Sequence, residues 1–155
     1  MDLKPDTQTP LSQVLAGKAR GTSTLSVPPD ITVAAAVEVL NRNHIGSVLV
    51  MEGGRLIGIF TERDILRRVV GERRDPSATR VADVMTRDLV VMRPSSSVVD
   101  AMRVISEKRI RHVPVVEGGQ VVGVVSQGDL NHWLVRNREG QIQDLVDYVT
   151  GKYPA

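Results

Sequence analysis

The sequence predicts an α/β fold of two β-α-β-β-α repeats followed by a C-terminal helix, and three observations carry that prediction. Residues 45–65, IGSVLVMEGGRLIGIFTERDI, align without a gap on residues 110–130, IRHVPVVEGGQVVGVVSQGDL, at a constant shift of 65. Internal repetition of this length means a chain built from copies of one supersecondary unit. In each copy two β-branched runs flank a Glu-Gly-Gly turn, the pattern of a hairpin. Ahead of each hairpin, apolar residues recur at helical spacing.

The elements follow in order. Residues 1–10 form a polar N-terminal tail, and the first repeat covers 11–70. Its short first strand is expected near Ser23 to Val27, and its helix over Val33 to Asn43 with Thr32 as N-cap. Strands are expected over Ser47 to Met51 and Leu56 to Phe60, after which Thr61 opens a second helix. Residues 71–80 are polar, contain Pro76, and read as a linker. The second repeat, 81–136, matches with a strand near Leu89 to Met92, a helix over Val98 to Lys108 led by Ser97, and strands over His112 to Val116 and Val121 to Val125. Ser126 opens its last helix. The register of 65 also pairs Pro29 with Pro94, Ala36 with Ala101 and Val39 with Val104. It breaks near the start, where Val14-Leu15 matches Val84-Met85 at a shift of 70, so the first repeat carries five extra residues around GKARGTS. Over 137–155, Ile142, Leu145, Val146 and Val149 mark an amphipathic helix that buries its stripe on its own domain or on another chain.

Composition narrows the function. The chain has 155 residues, enough for one compact domain or two fused half-domains. With 3% aromatic residues, the core must be built from Val, Ile, Leu, Met and Ala. Twenty basic against eighteen acidic side chains is too balanced to argue for nucleic acid, although the pI of about 9.3 leaves it open. No cysteine is present, which excludes disulfides and thiolate metal sites. No apolar run approaches the roughly 20 residues of a membrane span. The start, MDLKPDTQTP, has neither a basic nor an apolar stretch, so no signal peptide is expected and a cytoplasmic protein is the default.

The chemistry sits in one octapeptide pattern. Ile57-Gly58-Ile59-Phe60-Thr61-Glu62-Arg63-Asp64 recurs as Val122-Gly123-Val124-Val125-Ser126-Gln127-Gly128-Asp129. A carboxylate accepts two hydrogen bonds at once, which suits the vicinal hydroxyls of a ribose. A hydroxyl three residues earlier can donate to a sugar or phosphate oxygen, and a helix N-terminus favours an anion. Apolar strands beside it, at Ile59 and Val124, offer a slot for a purine. The same Thr/Ser-x-x-Asp spacing is also that of a capping box, which would ask nothing more of these residues.

Together with Val81-Ala-Asp-Val-Met-Thr86 and Arg111-His-Val-Pro-Val-Val116, the doubled pattern resembles a tandem pair of cystathionine-β-synthase-type (CBS) domains. The resemblance covers roughly residues 11–136. It implies a Bateman-type module, two repeats related by a pseudo-twofold axis with two clefts, each joining the Asp of one repeat to the first strand and mid-strand entrance of the other. One cleft would use Thr61, Asp64, Ile59 and Arg63 with Thr86, Ile110, Arg111, His112 and Pro114. The other would use Ser126, Asp129 and Val124 with Ser23, Thr24, Ile45, Gly46 and Ser47. Gly128 replaces Arg63 in the second repeat, so the Asp64 cleft is expected to hold a phosphorylated nucleotide more readily. For these arginines the alternative is ordinary solvated charge. The resemblance further implies an adenine-nucleotide sensor with no catalytic cofactor. AMP ranks first and NAD(H) second among AMP, ADP, ATP, NAD(H) and S-adenosyl compounds. It also implies a homodimer that regulates a protein the sequence does not identify.

Other classes fare less well. His44, His112 and His132 form no close metal-ligand pair, and no nucleophile–base arrangement is evident, so no enzyme is expected. Neither a GxGxxG nor a P-loop motif occurs. Arg63, Arg67, Arg68, Arg73, Arg74 and Arg80 make a basic stretch, but without interleaved aromatics it fits neither a stacking platform nor a groove reader. A dimerisation adaptor without ligand remains the main alternative, using the helices with Ala35-Ala36 and Ala101-Met102 and those after Asp64 and Asp129.

Overall fold

The computed structural model describes residues 8–18 and 25–149, with side chains described through residue 138. It contains the two expected repeats. The first comprises α1 (Leu11–Ala16), β1 (Ser26–Val27), α2 (Val33–Asn43), β2 (Ser47–Glu52), β3 (Arg55–Thr61) and α3 (Glu62–Asp64), which runs into a π-helical turn over Ile65–Val70. The second comprises α4 (Val81–Val84), α5 (Val98–Lys108), β4 (His112–Glu117), β5 (Gln120–Ser126) and α6 (Gln127–Val149).

Local chemistry accounts for the long helices and the hairpins. Thr32 and Ser97 accept from the amides of Ala35 and Asp100, each filling an orphan donor at a helix start. Both helices then end in a left-handed residue, His44 at φ 52° and Arg109 at φ 53°, 65 positions apart. In each hairpin both glycines have positive φ, from 56° to 78°, as a two-residue type I′ turn requires. β2 and β3 pair antiparallel from Ser47↔Thr61, and β4 and β5 from His112↔Ser126, with a register shift at the same place in each.

The repeats differ at their first strand. β1 pairs parallel with β2, whereas the stretch expected at Leu89 to Met92 contributes a single bridge from Met92 to Val115. Ser23 and Thr24 lie outside the described residues. The linker is not loose: the carbonyls of Pro76 and Thr79 accept from Ala34 and Val33, tying it to the start of α2. The C-terminal helix expected as a separate piece from 137 is continuous with the last helix of the second repeat, because no residue near Asn137 breaks it. The stripe Ile142, Leu145, Val146 and Val149 falls among side chains outside those described.

Packing exchanges the leading helices. Val81, Val84 and Met85 of the α4 segment complete the core formed by Val33, Ala36, Val48, Val50, Phe60 and Val69 of the first repeat. Leu11 and Val14 of α1 complete the core of the second, with Val98, Ala101, Val113, Val115, Val125 and Leu130. The motif glycines mark where this crossing is tightest. A Cβ at Gly58 would lie 2.5 Å from Met85 Sδ, and one at Gly123 would lie 2.7 Å from Leu15 Cδ2. A larger residue at Gly58 would press on Met85 and on the Thr86 carbonyl, whereas at Gly123 the end of the Leu15 side chain can turn aside.

Candidate functional site

Exchange of the leading helices builds two clefts. It carries Thr86, just after α4, onto β3, where Ile59 and Thr86 exchange backbone hydrogen bonds of 3.0 and 2.9 Å. Thr86 Oγ1 then donates to Asp64 Oδ1 at 2.9 Å. Asp64 Oδ2 accepts from the Thr61 amide at 2.9 Å and from Thr61 Oγ1 at 3.1 Å, while the Asp64 amide donates back to Thr61 Oγ1. The capping box is therefore formed, and its carboxylate is 6% exposed with Arg68 at 3.7 Å. An ionised carboxylate has about four acceptor sites. Three are in use, which leaves one on Oδ1.

The Asp64 cleft brings together Ile59, Thr61, Arg63, Asp64, Thr86, Ile110, Arg111 and His112. Its open space, solvent at the mouth included, is about 550 Å³. Pro114 lies outside this wall: it is buried in the middle of β4, opposite Val124, and its carbonyl accepts from Met92. Two further residues line the cleft, Gly46 and Glu62. Gly46, which matches Arg111 at the shift of 65, was expected in the Asp129 cleft and lines both. The amides at the start of α3 are largely spent, Glu62 on Gly46 O and Asp64 on Thr61 Oγ1. An anion in this cleft would therefore be met by Arg111 and His112.

The Asp129 cleft gathers Ile45, Gly46, Ser47, Val124, Ser126 and Asp129, with Leu25, His44, Leu49, Lys18 and His112. Ser126 and Asp129 repeat the reciprocal cap, at 2.8 and 3.0 Å. Lys18 Nζ bonds Asp129 Oδ2 and Val124 O, each at 2.8 Å. Nothing in the repeat pointed to Lys18, since it sits where the register breaks; that break is the one signal that could have drawn attention to it. Gly46 and His112 line both clefts and form their party wall. Burial lowers the pKa of His112 below its ordinary 6.5, against the pull of Glu62 and Asp129 and with help from Lys18 and Arg111.

Four arginines of the basic stretch, Arg63, Arg68, Arg74 and Arg80, have partners within the chain. Arg63 donates to the carbonyl of Arg109 at the end of α5. Arg68 caps the carbonyls of Val84 and Met85 at 3.1 and 2.7 Å. Arg74 pairs with Glu72, and Arg80 with Asp83. Among the described residues no group of three or more acidic or histidine side chains could hold a metal ion, and no helix is long and apolar enough to cross a membrane.

Known proteins share this arrangement. The family model "CBS domain" matches residues 22–71 and 81–136. The "CBS domain-containing protein CBSX3, mitochondrial" of Arabidopsis thaliana is 34% identical over 88% of this chain and 69% of its own. The "CBS domain-containing protein YhcV" of Bacillus subtilis is 35% identical over 70% of this chain and 77% of its own. A solved structure of a protein with CBS domains from Burkholderia ambifaria superposes with a TM-score of 0.80, at 36% identity over 83% of this chain and 95% of that one.

Proposed function

Because the chain belongs to the CBS-domain family and carries two such domains in tandem, we propose that it is a non-catalytic sensor of adenine nucleotides, with AMP the first ligand and NAD(H) the second. The observation that carries this reading is the Asp64 cleft. Residues from both repeats converge there on a buried carboxylate, with an apolar slot at Ile59 and Ile110 for a purine and Arg111 and His112 for a phosphate. The remaining acceptor site of Asp64 takes a ribose hydroxyl, and the Thr86 hydroxyl turns to take the other. A structural neighbour, the CBS domain pair of protein MJ0100, has been solved in complex with 5′-methylthioadenosine and S-adenosyl-L-methionine; at 23% identity that likeness concerns the fold.

Binding at the seam between the repeats would regulate a cytoplasmic partner by changing conformation or association. The ligand can shift that equilibrium only by its differential affinity for the two states. Calorimetric titration with AMP, ADP, ATP, NAD(H) and S-adenosyl compounds tests the reading. AMP should bind in the micromolar range, and Asp64→Asn, which keeps the shape of the cap, should abolish that binding while the protein stays folded. A silent panel on folded protein would refute the sensor. Self-association is the second reading, favoured by Leu66 and Val70, which stand 65% and 63% exposed on the π-helical turn. Sedimentation of Leu66→Glu against the parent chain checks it: loss of a dimer supports the reading, and an unchanged mass refutes it.

A further inference from the structure

Both clefts need a pair of donors to close the floor, and they obtain it differently. In the Asp64 cleft one neutral residue supplies both: the Thr86 amide bonds Ile59 O, and Thr86 Oγ1 bonds Asp64 Oδ1, each at 2.9 Å. The matching acceptors in the other cleft are Val124 O and the Asp129 carboxylate. There a single ammonium, Lys18 Nζ, bonds both at 2.8 Å. Thr86 is held in a backbone bridge, whereas Lys18 reaches in on a four-carbon stem. Both side chains of the Lys18–Asp129 pair retain access to solvent, at 21% and 22% exposure, where Asp64 has 6%.

We propose that Lys18 is the specificity-determining residue of the Asp129 cleft. It holds the ribose-binding carboxylate while the cleft is empty and moves to the ligand phosphate when the cleft is filled, so that this cleft selects phosphorylated over unphosphorylated adenosine compounds. The inference rests on the functional reading above. A ribose diol that takes Asp129 must displace the ammonium, which has three donors and no acceptor. Left part-buried without an anion, that ammonium penalises a ligand such as adenosine. A phosphate supplies the missing counter-charge within reach of the flexible stem. Charge around the cleft agrees: among the described residues its titratable lining is Lys18, His44, His112 and Asp129, with Asp129 the one carboxylate. In the Asp64 cleft Glu62 stands beside Asp64.

The test compares AMP with adenosine on the full chain and on Lys18→Met, followed through the ring resonances of His44, which lines the Asp129 cleft alone of the two. Lys18→Met should tighten adenosine and weaken AMP, lowering the AMP-to-adenosine preference at this cleft about tenfold, the scale of one charge-assisted hydrogen bond. Lys18→Arg should retain the preference. A preference unchanged in Lys18→Met, or equal tightening of both ligands, overturns the proposal, and the second result would make Lys18 a plain plug. If neither ligand perturbs His44 or His112 in either protein, the sensor reading itself falls and takes this inference with it.

Discussion

The Asp64 and Asp129 clefts arise from the same eight-residue pattern yet reach different degrees of closure. Asp64 is buried and held by three hydrogen bonds from Thr61 and Thr86, so it is at once a cap and a seam between repeats. Asp129 keeps its cap but depends on a lysine for its second closure and stays accessible. The lesson is that a duplicated motif preserves local geometry, while the segment that crosses from the other repeat decides what the motif can do. In the first case that segment brings a threonine fixed by backbone pairing; in the second it brings a lysine ammonium.

Stability measurements can break or sharpen this contrast. The largest effect is expected from Asp64→Ala, which strands the Thr61 amide and the Thr86 hydroxyl and should cost about 3 kcal/mol, against about 1 kcal/mol for Asp129→Ala. Urea denaturation of the two variants measures both, and equal losses would contradict the structural inequality of the clefts. Next come the crossing glycines. Gly58→Ala meets Met85 Sδ and, at 3.1 Å, the Thr86 carbonyl, whereas Gly123→Ala meets the end of a leucine that can rotate away. We expect losses of about 2 kcal/mol and under about 1 kcal/mol. Thr32→Ala and Ser97→Ala should each cost about 1 kcal/mol, and equally, since the two caps have the same geometry.

The smallest effect is the pH response of the shared wall. The folded state depresses the pKa of His112, so the unfolded chain binds more protons as pH falls. The contribution of neutral His112 is fully present above about pH 6.5 and is lost as pH falls toward its lower folded value. Melting temperatures of His112→Gln followed from pH 7.5 to pH 5 should show a shallower decline than those of the parent chain.

Much of this was legible in the residues. The Gly-Gly turns, the capping residues Thr32 and Ser97 and the alternation of strand and helix are local features, set by steric preference and by donors within four residues of their acceptors. The shift of 65 carried them from one repeat to the other. It also pairs Ile59, Thr61 and Asp64 of one cleft with Val124, Ser126 and Asp129 of the other. The π-helical turn after Asp64, the reduction of the first strand to Met92 in the second repeat and the continuity of α6 were not legible, since none has a distinct periodicity.

By itself, then, the sequence determined the repeat, its hairpins and caps, and the pair of acids around which the clefts form. Tertiary structure alone decided that α1 and α4 change places, that Thr86 closes one cleft and Lys18 the other, and that Gly46 and His112 stand between them. The reason is physical. A cap or a turn is satisfied within its own few residues, whereas the donor that reaches Asp129 lies 111 residues away, in the segment where the internal alignment breaks.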